Sequence, residues 1–129
     1  MSVYNYSKWI EMAEIDMETA RILLKEGRYY QPVCFHVHQA VEKLLKAYIV
    51  FKGLKPKKSH DLEELCTICS NYEQGFLKYM DDCTELSTYY IETRYPLDIP
   101  FSEISKDEAR KALVMGEDIC RFVKSILNI

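Results

Sequence analysis

The sequence predicts an all-α fold, an up-and-down bundle of four long helices with one short helix inserted. Apolar residues recur along most of the chain with the period of a helix, and no stretch shows the alternation of a strand. Only 4 Gly and 4 Pro interrupt the chain, which favours long elements. Because 129 residues is a typical length for one domain, a single helical domain over residues 1–129 is expected.

The first two predicted helices cover residues 7–26 and 32–53. Asn5 or Ser7 can cap the first of these helices, and Gly27 supplies a left-handed end. The second begins near Pro32, whose fixed φ suits a first helical turn. Its buried face repeats at helical spacing through Val33, Val37, Ala40, Val41, Leu44, Leu45, Tyr48 and Phe51. The opposite, polar side carries Gln39, Glu42, Lys43 and Lys46.

Three further helices are predicted, over residues 60–71, over residues 74–93 and from Ser105 to near the end of the chain. Ser59 is the expected cap of the short third helix. The last helix opens on Ser105 and Glu108, which have the spacing of a capping box. Small residues follow on the core stripe of that helix, where they would let another helix approach closely: Ala109, Ala112 and Gly116.

The segment 94–104 contains Pro96 and Pro100 and cannot be helical throughout. It is the longest irregular stretch of the sequence, and long loops often carry function. The segment is therefore a candidate functional loop.

Charge and composition restrict the classes of partner. The formal net charge is −3 and the pI is near 5.6, so any contact with nucleic acid must use a local basic patch, assembled by dimerisation or by a partner. The 5 Cys are an odd number and mostly fit helix faces, which favours reduced core cysteines; the C-x-x-C of Cys66 and Cys69 fits one apolar face. No apolar run is long enough for a membrane span, and no signal peptide begins the chain, so no membrane association and a cytoplasmic location are expected.

Arg94 is the first candidate site residue. It lies at a predicted helix end beside Tyr89, Tyr90 and Tyr95. A guanidinium offers a planar fork of donors to phosphate, and tyrosine rings offer stacking surfaces to a base. The alternative is that Arg94 pairs with a neighbouring carboxylate and pins the loop.

His60 is the second candidate. It lies at the start of the third helix, just after a basic turn that contains Lys57 and Lys58. The free N–H groups of a helix start can receive a phosphate. The alternative is a capping role beside a solvated basic turn.

His36 and His38 do not predict a metal site. Two residues apart on a helix, they point about 200° away from each other and cannot share one ion. His38 and Glu42 are better spaced, but a zinc site needs at least one more ligand. Helix packing or a dimer contact is the expected role of these histidines, and no metal or cofactor is expected.

Three segments together resemble the HEPN family: residues 34–47, Ser59-His60-Asp61-Leu62, and Thr93-Arg94-Tyr95-Pro96. The resemblance implies a small helical domain that binds nucleotides or RNA, and many such domains are encoded beside a minimal nucleotidyltransferase. In the ribonucleases of the family the matching arginine is followed roughly four to six residues later by a histidine, which moves a proton at neutral pH. Here no histidine follows His60.

Three functions follow from these observations, in order of preference. The first is a homodimeric binding module that works with a separately encoded minimal nucleotidyltransferase. The resemblance implies that such a pair can be a toxin–antitoxin system. Its nucleotide or RNA would be bound by Arg94, Tyr95, Tyr90, Lys57 and Lys58. The second is a metal-independent ribonuclease that uses Arg94 with His60. The third is a helical dimerisation scaffold without a ligand.

Overall fold

The computed structural model describes residues 5–90 and 104–129. These two ranges contain five α-helices and one 3-10 helix. The helices are α1 (Tyr6–Glu26), α2 (Gln31–Phe51), α3 (Leu62–Ser70), the 3-10 helix (Gln74–Tyr79), α4 (Met80–Ser87) and α5 (Lys106–Leu127). Since the described ranges contain no strand, the predicted all-α class is confirmed.

Helix α2 is the centre of the fold. It packs against α1 and α5 and also against α3 and α4, and most of its residues are buried. The predicted small stripe of α5 meets it: a Cβ added at Gly116 would lie 2.7 Å from Val37 Cγ1 of α2. The absence of a side chain at Gly116 therefore sets how closely α5 approaches α2.

The predicted ends of three helices are confirmed. The side chain of Asn5 accepts a hydrogen bond from Ser7 N at the start of α1, and Gly27 ends that helix with a φ of 72°. Pro32 lies in the first turn of α2. Ser105 caps α5, its side chain accepting from Glu108 N.

The prediction that Ser59 caps the third helix is wrong. Helix α3 begins at Leu62, and Asp61 is its cap, because the Asp61 carboxylate accepts from the backbone N–H groups of Glu63 and Glu64. Ser59 lies two residues earlier, and its side chain accepts a hydrogen bond from Asp61 N at 3.1 Å. An ionised cap that receives two donors holds the helix start more firmly than a distant hydroxyl.

The predicted fourth long helix is divided into the 3-10 helix and α4, and α4 ends at Ser87. Residues 91–93 of that prediction lie outside the described ranges. In the tight winding of a 3-10 helix, residues three apart share one side. Phe76 and Tyr79 both use that side to contact Phe122 of α5, with ring centroids 5.0 and 5.1 Å apart.

The cysteines are free thiols, and Cys66 and Cys69 are fully buried in α3, as the core interpretation predicted. Within residues 5–90 and 104–129, no helix combines the length and the apolar content that a membrane span requires.

Candidate functional site

Three residues spaced four apart lie on one side of α2: His38, Glu42 and Lys46. The first two of them contact His60, just before α3. Glu42 and Lys46 were predicted to lie on the polar side of α2, but they are only 5% and 6% exposed. Lys46 Nζ donates to Glu42 Oε2 at 2.9 Å and lies 5.8 Å from the centre of the Trp9 ring. The aromatic face and the carboxylate together compensate the ammonium for the water it has lost.

His60 is attached to this buried pair. Its Nδ1 lies 2.9 Å from Glu42 Oε1. A carboxylate paired with an ammonium can only accept, so His60 Nδ1 carries a proton and the other ring nitrogen, Nε2, is the one left for a ligand. The His60 side chain is 48% exposed while that of Glu42 is 7% exposed. A buried carboxylate thus orients an accessible imidazole.

Tyr90 holds the other side of the imidazole. Its ring stacks on His60 with centroids 4.3 Å apart and an angle of 15° between the planes. Ser87, at the end of α4, accepts from Leu62 N at 3.0 Å and so fastens the start of α3 to α4. A cleft of about 430 Å³ opens here, lined by His60, Asp61, Ser87 and Tyr90.

His38 is fully buried and supports the backbone of His60. Burial lowers the pKa of His38, so the ring is neutral near pH 7 and donates from one nitrogen only. Its Nε2 faces the His60 carbonyl oxygen at 3.1 Å, which fixes the proton there. The other nitrogen, Nδ1, lies 3.1 Å from Gln39 Oε1. With the proton on Nε2, Nδ1 is an acceptor, so the amide of Gln39 must turn over to present its nitrogen as the donor.

His36 points elsewhere, as the spacing of the two histidines predicted. Its Nδ1 lies 2.9 Å from Asp16 Oδ1 of α1, and Lys43 Nζ lies 2.5 Å from Asp16 Oδ2. Burial favours a higher pKa for Asp16, but the hydrogen bonds and charges of His36 and Lys43 outweigh it and lower the pKa. This cluster fastens α1 to α2. No group of three or more histidine, cysteine or acidic residues in the described ranges could hold a metal ion.

The remaining predicted site residues differ in their surroundings. Lys57 Nζ pairs with Glu64 Oε2 at 2.9 Å on the surface. Lys58 is exposed and forms no ion pair with the described part of the chain. Arg94 and Tyr95 lie outside the described residues. The structure therefore brings His60 and Tyr90 together. A binding role for Lys57, Lys58, Arg94 and Tyr95 stays a prediction.

Sequence reasoning missed Glu42 and Lys46 as members of the site. Their spacing of four residues is visible in the sequence, but that spacing is also typical of exposed helix pairs. Burial of the pair depends on Trp9 and on the segment before α3, both distant in sequence.

The fold and the site define a class: a small helical domain with a carboxylate-supported histidine beside a cleft. The sequence model of the HEPN domain matches residues 6–126. The chain belongs to the HEPN domain family.

Known relatives agree with this membership. The chain is 27% identical over 136 aligned residues, 95% of its length and 89% of the relative's, to the Methanocaldococcus jannaschii protein named "Putative toxin MJ1304". Its structure resembles that of ST0689, an archaeal HEPN homologue, with a TM-score of 0.78, 26% identity and coverage of 97% and 98% of the two chains. It also resembles TT1696 from Thermus thermophilus, with a TM-score of 0.80, 26% identity and coverage of 95% and 98%.

Proposed function

We propose that this HEPN protein binds the phosphate of a nucleotide or RNA at His60 and Arg94, and that it is the toxin-type member of a pair with a minimal nucleotidyltransferase. The observation that carries the proposal is the half-exposed His60 ring held between buried Glu42 and Tyr90. A relative named as a toxin supports the pairing. In this proposal the protein acts as a cytoplasmic homodimer.

The reach of the chain supports a joint site of His60 and Arg94. Tyr90 contacts the His60 ring, and Arg94 follows Tyr90 by four residues. Four residues span at most about 14 Å even when fully extended. The Arg94 side chain adds further reach, so a phosphate at the cleft of His60 is within its range.

The proposed roles follow from the chemistry of each group. Arg94 donates a bidentate pair of hydrogen bonds to phosphate, and His60, protonated on both ring nitrogens in the bound state, donates another from Nε2. Lys58 and Lys57, in the turn before His60, add positive charge. Tyr90 already uses one ring face for His60, so Tyr95 is the better candidate for stacking on a base.

Fluorescence polarisation with a labelled single-stranded RNA, and with labelled nucleotides, tests the binding. We expect Arg94→Ala and His60→Ala each to weaken binding about tenfold or more, because each removes a charge-assisted contact. Arg121→Ala is the matched control, since Arg121 is an exposed arginine paired only with Asp118 in the described ranges. Equal affinities of wild type and both site variants would reject the site.

The proposed partner and the dimer are tested separately. The chain is co-expressed with the nucleotidyltransferase encoded beside it, and the mass of the purified complex is measured by light scattering. Co-purification and an even number of copies of this chain support the proposal. A monomer that does not bind the nucleotidyltransferase at micromolar concentration contradicts it.

One observation favours a second candidate, a metal-independent ribonuclease. A carboxylate on Nδ1 of a histidine is the arrangement that orients a general base and stabilises its charged form. His60 would move the proton and Arg94 would stabilise the phosphate charge. Cleavage of RNA in the presence of a chelator, lost in His60→Ala and Arg94→Ala at unchanged thermal stability, is the expected result; cleavage retained in both variants excludes this assignment.

A further inference from the structure

A second cleft lies at the start of α2, where the chain turns from α1. It has a volume of about 740 Å³ and is lined by Arg28, Tyr29, Tyr30, Gln31, Pro32, Ile104 and Ser105. This volume lies within the range of about 300–1,000 Å³ that is usual for small-molecule sites. Gln31 precedes His38 by seven residues, so the cleft lies about 10 Å along α2 from the His60 site.

Gln31 is one of the residues that line this cleft, and its side chain carries a buried amide. It is only 2% exposed, and its amide nitrogen has no hydrogen-bond partner among the residues that the structure describes. A buried amide without a partner costs free energy, so such groups are rare in folded proteins. A ligand that offers an acceptor to this nitrogen would remove the cost.

Two further features indicate that the acceptor is part of an anion. No side chain in the described part of the chain caps α2, so the positive end of this 21-residue helix can attract a negative group. Arg28 is exposed and forms no ion pair within residues 5–90 and 104–129. A guanidinium and an uncapped helix start thus flank the amide of Gln31.

The other walls indicate a flat, apolar ligand body. Tyr29 is 66% exposed, although a tyrosine ring of that size usually covers some apolar neighbour. Tyr30 keeps its hydroxyl on the Gly27 carbonyl oxygen at 3.3 Å, which leaves the ring as a wall of the cleft. Pro32 and Ile104 complete an apolar lining.

We infer that this cleft binds a small aromatic anion, with its negative group between Arg28 and the start of α2, an acceptor on the Gln31 amide and its ring against Tyr29. The site is separate from the one proposed at His60, and either can fail without the other.

Two-dimensional NMR with benzoate, phenyl phosphate and neutral benzyl alcohol as probes tests the inference. We expect both anions to shift the side-chain amide signal of Gln31, and the neutral probe to bind at least tenfold more weakly. Comparison of the affinities for benzoate and phenyl phosphate shows whether a carboxylate or a phosphate is preferred. Equal binding of benzyl alcohol, or shifts confined to the His60 cleft, would overturn the inference.

Variants separate a ligand contact from a structural role. Gln31→Leu keeps roughly the volume of the side chain and removes the unsatisfied amide, so its melting temperature should equal or exceed that of the wild type while affinity for the preferred anion falls about tenfold. Arg28→Ala should weaken binding similarly, and Arg121→Ala should not change it. Unchanged affinity in Gln31→Leu, or in Arg28→Ala, contradicts the assignment; Arg28→Ala supplies the test if Gln31→Leu does not fold.

Discussion

Glu42 connects the interior of the bundle to the surface of the candidate site. One of its oxygens receives the Lys46 ammonium and the other receives the His60 imidazole. Because the carboxylate is buried, it has little freedom to change partners, and it therefore holds the His60 ring in one orientation. A histidine oriented in this way is better prepared to meet a phosphate than one on a mobile loop.

Removal of Glu42 alone should be costly. Glu42→Leu leaves the Lys46 ammonium buried without its carboxylate, and we expect the free energy of unfolding to fall by about 3–5 kcal/mol. The double variant Glu42→Leu, Lys46→Met replaces the pair by apolar side chains that can pack on Trp9, and it should recover most of that loss. Urea denaturation measures both. A single variant as stable as the double variant would show that the pair is not buried in solution.

His38 should make stability depend on pH. Its pKa is lowered by burial in the folded state, so the unfolded chain binds the proton more readily near the ordinary value of 6.5. The contribution of His38 to the free energy of unfolding is therefore fully present above about pH 6.5 and is lost as the pH falls below that value. Glu42 nearby favours the charged form of His38 and His60 disfavours it, which moderates the effect but does not reverse it.

The variant His38→Gln isolates this contribution, because a glutamine amide can still donate to the His60 carbonyl oxygen but does not titrate in this range. The free energy of unfolding, measured by urea denaturation between about pH 5 and about pH 8, should have a smaller slope in the variant than in the wild type. Identical slopes would show that His38 is not the titrating group.

At the scale of the helices, the start of α3 fixes the backbone from which His60 projects. We expect Asp61→Ala to lower the free energy of unfolding by about 1 kcal/mol, because two backbone N–H groups lose their acceptor. Ser59→Ala is the matched control and should cost less, since Ser59 accepts from a single backbone N–H, that of Asp61, and its other hydrogen bond, to the Glu64 side chain, lies on the surface. Thermal denaturation of both variants tests the order, and the reverse order would restore Ser59 as the cap.

Gly116 controls the contact between α5, α2 and α1. In an open helix Gly→Ala would stabilise by about 1 kcal/mol. Here the new Cβ would lie 2.7 Å from Val37 Cγ1 and 3.2 Å from Met17 Sδ, and we expect Gly116→Ala to destabilise by about 1–3 kcal/mol. The same substitution in a Val37→Ala background should cost less, as measured by urea denaturation. A stabilising Gly116→Ala would mean that the helices do not approach this closely.

The helices were largely predictable because their signals are local. Helical periodicity, the Asn5 and Ser105 caps and Gly27 all act within a few residues. The division of the fourth helix was not predicted; the 3-10 helix packs Phe76 on Phe122 of α5, a contact between residues far apart in the sequence. The pairing of His60 with Glu42 could not be predicted from the sequence. The two residues are 18 positions apart, and no pattern in the sequence indicates which face of α2 the segment before α3 crosses.

At the scale of the whole molecule, an acidic chain is proposed to bind an anion. The formal net charge is −3, so the long-range field does not attract RNA and the proposed site must rely on the few cations near His60. The proposal assigns this role to Lys57 and Lys58, which precede His60 in the sequence, and to Arg94.

Few phosphate contacts imply a weak dependence on salt, and the size of that dependence also reports on the dimer. Each contact to single-stranded nucleic acid contributes about −0.7 to the slope of log K against log salt concentration. Three cations of one chain therefore predict a slope near −2, whereas a cleft shared by two chains predicts roughly twice that value.

Polarisation titrations with a labelled single-stranded RNA across a range of salt concentrations measure the slope. Lys58→Ala should reduce it by about 0.7 in a single-chain site and by twice as much in a shared one, while Lys78→Ala, which removes a lysine that lies beside the Tyr79 ring, should leave it unchanged. A slope near zero would mean that RNA phosphate is not what the His60 site binds.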